Sequence, residues 1–373
     1  MGPPPAGLFF FRTIRKLIMS LHASLARIAP PVPITVPPAS LALDSLLAGR
    51  RLDQEASHAL FTALVEGGLS DHEIAAMLIA LRVRGETADE MIGAARALRA
   101  ADTDFERPDY LFADCCGTGG DGSGSINIST AVAFVAAAAG LPVAKHGNRS
   151  VTSRCGSADV LEQLGARIDL PPERSRQILD ATGFCFLFAP FYHPGLRHAG
   201  PVRRALGVRT IMNLLGPCLN PAEPAVQLLG VADLRMIEPI ALTLTALGVE
   251  RALVVHGAGL DEVALHGETD AIRVIDGRIE RLRIRPEDAG LDRVPAAALA
   301  GGDPAENAAR LLALLSGGGS PVERDVVALN SAALLMTAGI ATSLTDGVQL
   351  ARTAIESGAV HDRLRQFVDA SNG

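Results

Sequence analysis

Between residues 41 and 101 apolar side chains recur three and four positions apart, as in Leu60, Ala63, Leu64 and then Ile74, Met77, Leu78, Leu81, with glycines at 67, 68 and 85 as breaks. That period lines the apolar residues along one face of a helix, so the segment reads as a small helical module. Beyond Asp109 the pattern changes. Short apolar runs at 110–115, 141–144, 184–188, 226–232 and 252–255 alternate with longer amphipathic stretches. Strands separated by helices predict a mainly parallel sheet covered on both faces. The expected architecture is α/β, with a helical domain over 41–108 and a larger α/β domain over 109–373. No internal repeat interrupts this reading.

Residues 1–40 differ from the rest. Proline-rich runs flank Leu8-Phe9-Phe10-Phe11-Arg12, four basic residues occur, and no acid appears before Asp44. The apolar run is too short to span a membrane, although a basic, acid-free leader resembles a targeting segment. The expectation is an extension that is disordered or begins at an upstream start codon, with Met19 as a second possible start.

Composition narrows the function. With 373 residues, 48% of them apolar, the chain can bury a large core, and one big domain plus a smaller one is the natural outcome. A net charge of −7 provides no global positive field, so neither nucleic acid nor a membrane surface is an expected partner. Five cysteines, odd in number and without C-x-x-C spacing, argue against a disulfide framework and a structural zinc site, and point to a reducing, cytoplasmic setting. Arginine is abundant, whereas only two lysines occur, Lys16 and Lys145. A retained lysine suggests a site wanting a compact cation instead of a planar fork, against the plainer reading of a surviving surface residue.

Asp114-Cys-Cys-Gly-Thr-Gly-Gly-Asp-Gly122 follows an expected strand, and Asn127-Ile-Ser-Thr130 leads into an expected helix over 131–139. Glycines let backbone N–H groups approach an anion, and the helix N-terminus adds partial positive charge, with Ser129 or Thr130 suited to the cap. Gly117, Gly119 and Gly122 also satisfy G-x-G-x-x-G, but no acid lies between Asp121 and Asp159 to hold a nicotinamide ribose, and no Walker A pattern occurs. The next strand ends in Lys145-His-Gly-Asn-Arg-Ser-Val-Thr-Ser-Arg154, followed by Gly156-Ser-Ala-Asp159 opening a helix. Two donor-rich loops on neighbouring strand ends suit a ligand carrying phosphates at both ends.

In these residues the chain resembles the anthranilate phosphoribosyltransferase family. Further matches are Phe188-Ala-Pro with His193-Pro194, Pro201-Val-Arg-Arg204, Arg209-Thr-Ile-Met-Asn-Leu-Leu-Gly-Pro217, His256-Gly-Ala-Gly-Leu-Asp-Glu262 and Ala80-Leu-Arg-Val-Arg-Gly-Glu86. The resemblance implies a nucleoside phosphorylase/phosphoribosyltransferase-like fold, a later helical segment near 199–222 packing on the helical domain, an active site between the two domains, and a homodimer through the helical ones. It also implies binding of phosphoribosyl pyrophosphate by Gly117, Gly120, Asp121, Ser125, Asn127, Ile128, Ser129 and Thr130 on one side. On the other side it implies Lys145, His146, Gly147, Asn148, Arg149, Ser150, Val151, Thr152, Ser153 and Ser157. Gly117, Asn148 and Arg203 match anthranilate-contacting positions, and Ser129, Asp261 and Glu262 match positions that bind Mg²⁺. Ser125-Ile126 departs from the frequent Thr followed by an aromatic, from which only small effects on affinity are expected.

Breaking the bond from the anomeric carbon to pyrophosphate separates charge. Hard oxygen ligands from Ser129, Asp261 and Glu262 suit magnesium held against phosphates. The aromatic amine of anthranilate is already unprotonated at neutral pH, so no strong base is needed, and His146 either steers that amine or only hydrogen-bonds its loop. Arg203 offers a bidentate fork to the carboxylate. Two other functions compete: a pyrimidine nucleoside phosphorylase-like enzyme, which would not require the acidic pair or Arg203, and a non-catalytic nucleic-acid-binding relative, which the negative charge disfavours.

Overall fold

The computed structural model describes residues 37–150 and 154–373. The expectations for residues 1–36, and for Val151, Thr152 and Ser153, lie outside the described residues. Four helices come first: α1 (Pro38–Leu47), α2 (Gln54–Val65), α3 (Asp71–Arg84) and α4 (Ala88–Ala100). α1 opens on a proline, whose fixed φ suits a first helical turn. The next three begin where a side chain receives otherwise unpaired N–H groups: Asp53 accepts from Ala56, and Ser70 with Glu73 and Thr87 with Glu90 form reciprocal capping boxes.

Among the described residues seven strands form one sheet: β1 (Ala113–Gly117), β2 (Val143–Gly147), β3 (Phe184–Phe188), β4 (Val226–Gly230), β5 (Arg251–Gly257), β6 (Thr269–Ile275) and β7 (Arg278–Ile284). Their spatial order is β3-β2-β1-β4-β5-β6-β7. β1 to β5 pair in parallel, whereas β6 and β7 add antiparallel to the β5 edge. That hairpin lies beyond the strands expected from the sequence. Its turn is Asp276-Gly277, both at positive φ, 48° and 78°, which matches the twist of a tight two-residue hairpin.

The connecting helices are α5 (Ile128–Ala138), α6 (Ser157–Gln163), α7 (Pro172–Thr182), α8 (Ala189–Tyr192), α9 (Gly200–Leu206), α10 (Ile211–Leu215) and α11 (Ile237–Ala246). α12 (Pro304–Leu315), α13 (Pro321–Ala338), α14 (Leu344–Glu356) and α15 (Ala359–Asn372) close the chain. Alternate strand residues serve two cores. Val226, Leu228, Leu253 and Val255 join Phe134 of α5, Leu334 of α13 and Phe367 of α15. Leu229, Val254, Ile272 and Val274 join Ile240 and Leu244 of α11 with Leu60, Phe61 and Leu78 of the first helices. Ala199, Val202, Ile211 and Leu215 share this second core, so α9 and α10 pack with the N-terminal helices. Strand order reverses between β1 and β4, which is where α/β sheets open a crevice.

Candidate active site

β1, β2, β4 and β5 each end on glycine, and close approach of the chain explains it. A Cβ at Gly230 would lie 1.6 Å from the backbone oxygen of Asp261, and one at Gly117 would lie 2.2 Å from the Asp261 carboxylate. The missing side chains let the 258–262 segment cross the ends of β1 and β4. A tight turn starts that crossing, with Gly257 and Leu260 exchanging N–H···O bonds of 2.9 Å. Fully buried Asn330 on α13 fixes its exit, accepting from Val263 N at 2.8 Å and donating to Val263 O at 2.9 Å. Asn330→Leu leaves both backbone groups unpaired. It should cost about 2–4 kcal/mol and loosen Asp261 and Glu262. Calorimetry checks this, and a parental melting temperature would exclude the clamp.

The glycine loop packs under that crossing. Gly119 N donates to Asp261 Oδ2 at 2.6 Å, Thr118 N donates to Gly230 O at 2.9 Å, and Asp121 accepts from the backbone and hydroxyl of Ser123. Its far limb is stitched to the 299–307 segment: Gly301 N donates to Gly124 O at 2.7 Å, and Asn307 Nδ2 donates to Asn127 Oδ1 at 3.1 Å. Asn127, not Ser129 or Thr130, stands at the cap of α5, and it makes no side-chain cap bond. The helix end thus presents its N-terminal dipole to the cavity, a standing site for an anion. Ser129 has other work, since its backbone N–H donates to Glu262 Oε1 at 3.2 Å and its hydroxyl accepts from Lys145 Nζ at 3.2 Å.

Lys145 is no surface residue. It is 2% exposed, and its ammonium also donates to Cys115 O at 2.5 Å. Its charge acts on the buried Asp114 of β1 below, whose pKa burial raises and Lys145 only partly brings back, and on the half-buried Glu262 above. Burial nevertheless pushes Glu262 up to about 8, helped by Asp261. Burial, then the charge of Asp121, pushes Asp261 up to about 7. Clustered carboxylates beside a serine hydroxyl are hard oxygen donors of the kind a divalent metal takes. Among the described residues no three His, Cys, Asp or Glu side chains cage a metal ion. That fits Mg²⁺, which commonly takes one or two carboxylates and completes its shell with waters and substrate phosphates.

A cavity of about 290 Å³ gathers these groups. Lining it are Gly117, Gly120, Asp121, Ser125, Asn127, Ile128, Ser129 and Thr130 from the first loop, and Lys145, His146, Gly147, Asn148, Arg149, Ser150 and Ser157 from the second. Asp261 and Glu262 join them. Three of the expected residues are placed as follows. The Arg149 guanidinium bonds Glu162 at 2.7 Å and Asp159 at 3.4 Å, over the Phe188 ring. His146 Nε2 faces His193 Nε2 at 3.0 Å. Arg203 lies outside the residues lining the cavity.

Sequence reasoning passed over Arg209, Asn213 and Asn307, which also line it. Arg209 donates to Thr118 O at 3.0 Å and fills the space a Cβ at Gly120 would need, 1.5 Å from its guanidinium. Arg209 and Asn213 sit inside a motif that carries the family resemblance, which was the available signal.

Residues 109–361 match the glycosyl transferase family a/b domain, and residues 41–101 match the helical bundle domain of the same family. The anthranilate phosphoribosyltransferase of Sorangium cellulosum is 57% identical over 329 residues, covering 88% of this chain and 94% of that one. The chain belongs to the anthranilate phosphoribosyltransferase family. The enzyme of that name from Thermus thermophilus superposes with a TM-score of 0.85 at 43% identity, covering 89% of this chain and 99% of that one. The Saccharomyces cerevisiae enzyme, in complex with PRPP and Mg, has a TM-score of 0.81 at 26% identity over 90% of this chain and 98% of its own. The chain is thus a phosphoribosyltransferase of tryptophan biosynthesis. It moves the phosphoribosyl group of phosphoribosyl pyrophosphate to the amine of anthranilate, giving N-(5-phosphoribosyl)anthranilate and pyrophosphate.

Proposed function

We propose that the 290 Å³ cavity holds phosphoribosyl pyrophosphate between the glycine loop and the 145–150 loop, with Mg²⁺ held by Ser129, Asp261 and Glu262. The observation that carries this is the meeting of the α5 N-terminus, whose Ser129 N–H already bonds Glu262, with the half-buried carboxylates of Asp261 and Glu262 at the switch point of the sheet. The helix end and loop N–H groups of Gly117, Gly120 and Asn127 to Thr130 receive phosphate oxygens, and Asp121 and Ser125 border them. Gly147, Asn148, Ser150 and Ser157 hold the other end. Magnesium would neutralise charge building on the departing pyrophosphate. The protein's own share is positioning the anomeric carbon and amine and keeping fixed dipoles aimed at the leaving group.

Arg203 receives the anthranilate carboxylate, with Gly117 and Asn148 as further contacts. It is half-buried on α9, and burial alone, with no nearby acid opposing it, lowers its pKa. A desolvated guanidinium without a counter-charge is a receptor for an incoming anion. Arg203→Ala should raise the KM for anthranilate about 10- to 100-fold, as loss of a charge-assisted pair implies, and leave that for phosphoribosyl pyrophosphate within about twofold. Steady-state titration of each substrate tests it, and equal changes for both would remove Arg203 from the anthranilate side.

The oligomer we assign is a homodimer through the helical part, where Leu41 and Leu47 are 54% exposed and Val83 is 81% exposed. Such apolar groups suit a partner surface. The cytoplasm is the proposed compartment, because none of the five cysteines forms a disulfide. Among the described residues no helix is long and apolar enough to cross a membrane.

A further inference from the structure

A buried chain of three side chains joins the end of α4 to the cavity wall. Asp102 lies two residues beyond α4, His193 directly follows α8, and His146 belongs to β2. Asp102 Oδ1 is 2.5 Å from His193 Nδ1, and His193 Nε2 is 3.0 Å from His146 Nε2. The histidines are 6% and 5% exposed, and their rings meet edge to face with centroids 4.9 Å apart. The next residue pins the same segments, since Thr103 N donates to Tyr192 O at 2.8 Å.

Proton counting sets the direction of these bonds. A neutral imidazole has one donor and one acceptor nitrogen. With Nε2 turned to His193 and the Gly216 backbone favouring the protonated nitrogen on the other side, we assign the single ring proton of His146 to Nδ1. Burial, with His193 and Lys145 as neighbouring cations, holds the His146 pKa well below its ordinary value, so the ring is neutral. Its Nε2 is then a lone pair, and His193 must donate to it. One more proton lies between His193 Nδ1 and Asp102 Oδ1, and the two residues together are neutral whichever atom holds it. The other charges beside the array are Arg99 and Glu223, next to Asp102.

We propose that Asp102 is a positioning residue of the phosphoribosyl-transfer site: it makes His193 a donor toward His146 and so locks His146 as a neutral wall between Lys145 and Asn148. His146 then has no lone pair left for the proton that the attacking amine releases. The kinetic part of this proposal rests on the transferase reading, and the hydrogen-bond direction does not.

Two measurements on the full chain test it. Asp102→Asn is isosteric and can donate its amide N–H to His193 Nδ1, keeping the direction, whereas Asp102→Ala cannot. The Asn variant should retain kcat/KM within roughly threefold, and the Ala variant should lose about tenfold or more. Nitrogen-15 spectra of the parent imidazoles near neutral pH, assigned by the peaks lost in His146→Gln, should show His146 protonated at Nδ1 and bare at Nε2. A proton on His146 Nε2, an Asn variant as impaired as the Ala variant, or an Ala variant as active as the parent would overturn the proposal. If the Ala variant does not fold, the parent spectrum and the Asn variant still decide. An Nδ1-protonated His146 in a parent without transferase activity would support the array and count against the functional reading alone.

Discussion

Asp261→Asn and Glu262→Gln are each expected to lower turnover about a hundredfold or more, while making the metal-free protein more heat-stable above neutral pH. The two effects have one cause. Asp261 and Glu262 are raised to about 7 and about 8 by burial and by the acids beside them. In the unfolded chain they titrate near their ordinary values, roughly 4. Between those limits the folded protein binds protons that the unfolded chain has released. Stability contributed by these groups is therefore complete at low pH and is lost as pH rises through about 7 and 8. Neutral amides do not titrate, so they remove that loss, and they remove the anionic oxygens that would hold Mg²⁺. Calorimetry without metal on either side of neutrality, beside turnover against Mg²⁺ concentration, reads both. Parental turnover with a parental magnesium titration would exclude the metal role, and a pH-independent melting temperature would exclude the coupling.

Lys145→Met is expected to cost about 3–5 kcal/mol of stability and to abolish most activity, because it strips the counter-charge from Asp114 and Glu262 at once. From sequence alone, Lys145→Arg should weaken binding of phosphoribosyl pyrophosphate and leave unligated stability untouched. Burial revises that second half. The ammonium is 2% exposed between the Cys115 carbonyl and the Ser129 hydroxyl, so a longer planar guanidinium has no room. Lys145→Arg should also lower the melting temperature and displace Ser129 from the helix end. Thermal denaturation and a phosphoribosyl pyrophosphate titration separate the cases. A stable, fully active Arg variant would show that the shape of the cation is irrelevant.

The parallel sheet was legible because strands covered on both faces are short unbroken apolar runs. The run at 184–188 coincides with β3 (Phe184–Phe188). The β6–β7 hairpin was not read, because β7 is charged and exposed over most of its length with only Ile284 buried, although Asp276-Gly277 is a recognisable turn pair. The helix expected from residue 131 begins at Ile128, because Asn127 takes the cap position. Loop residues of the site were readable because glycine, hydroxyl and basic side chains cluster in sequence. Asn330, Asn307 and Asp102 were not, because each acts by burial against a segment far away in the chain. The ion pairs of Arg149 with Glu162 and Asp159 depend on how α6 is placed, which local spacing does not reveal.

We propose that this cavity transfers phosphoribosyl to anthranilate with magnesium. The most direct test is the loss of anthranilate fluorescence when the purified chain is mixed with phosphoribosyl pyrophosphate over a range of Mg²⁺ concentrations. The rate should vanish without phosphoribosyl pyrophosphate, fall sharply when magnesium is chelated, and collapse at all magnesium levels in the Asp261→Asn, Glu262→Gln double variant. Equal rates with and without the metal, or a double variant as fast as the parent, would contradict it.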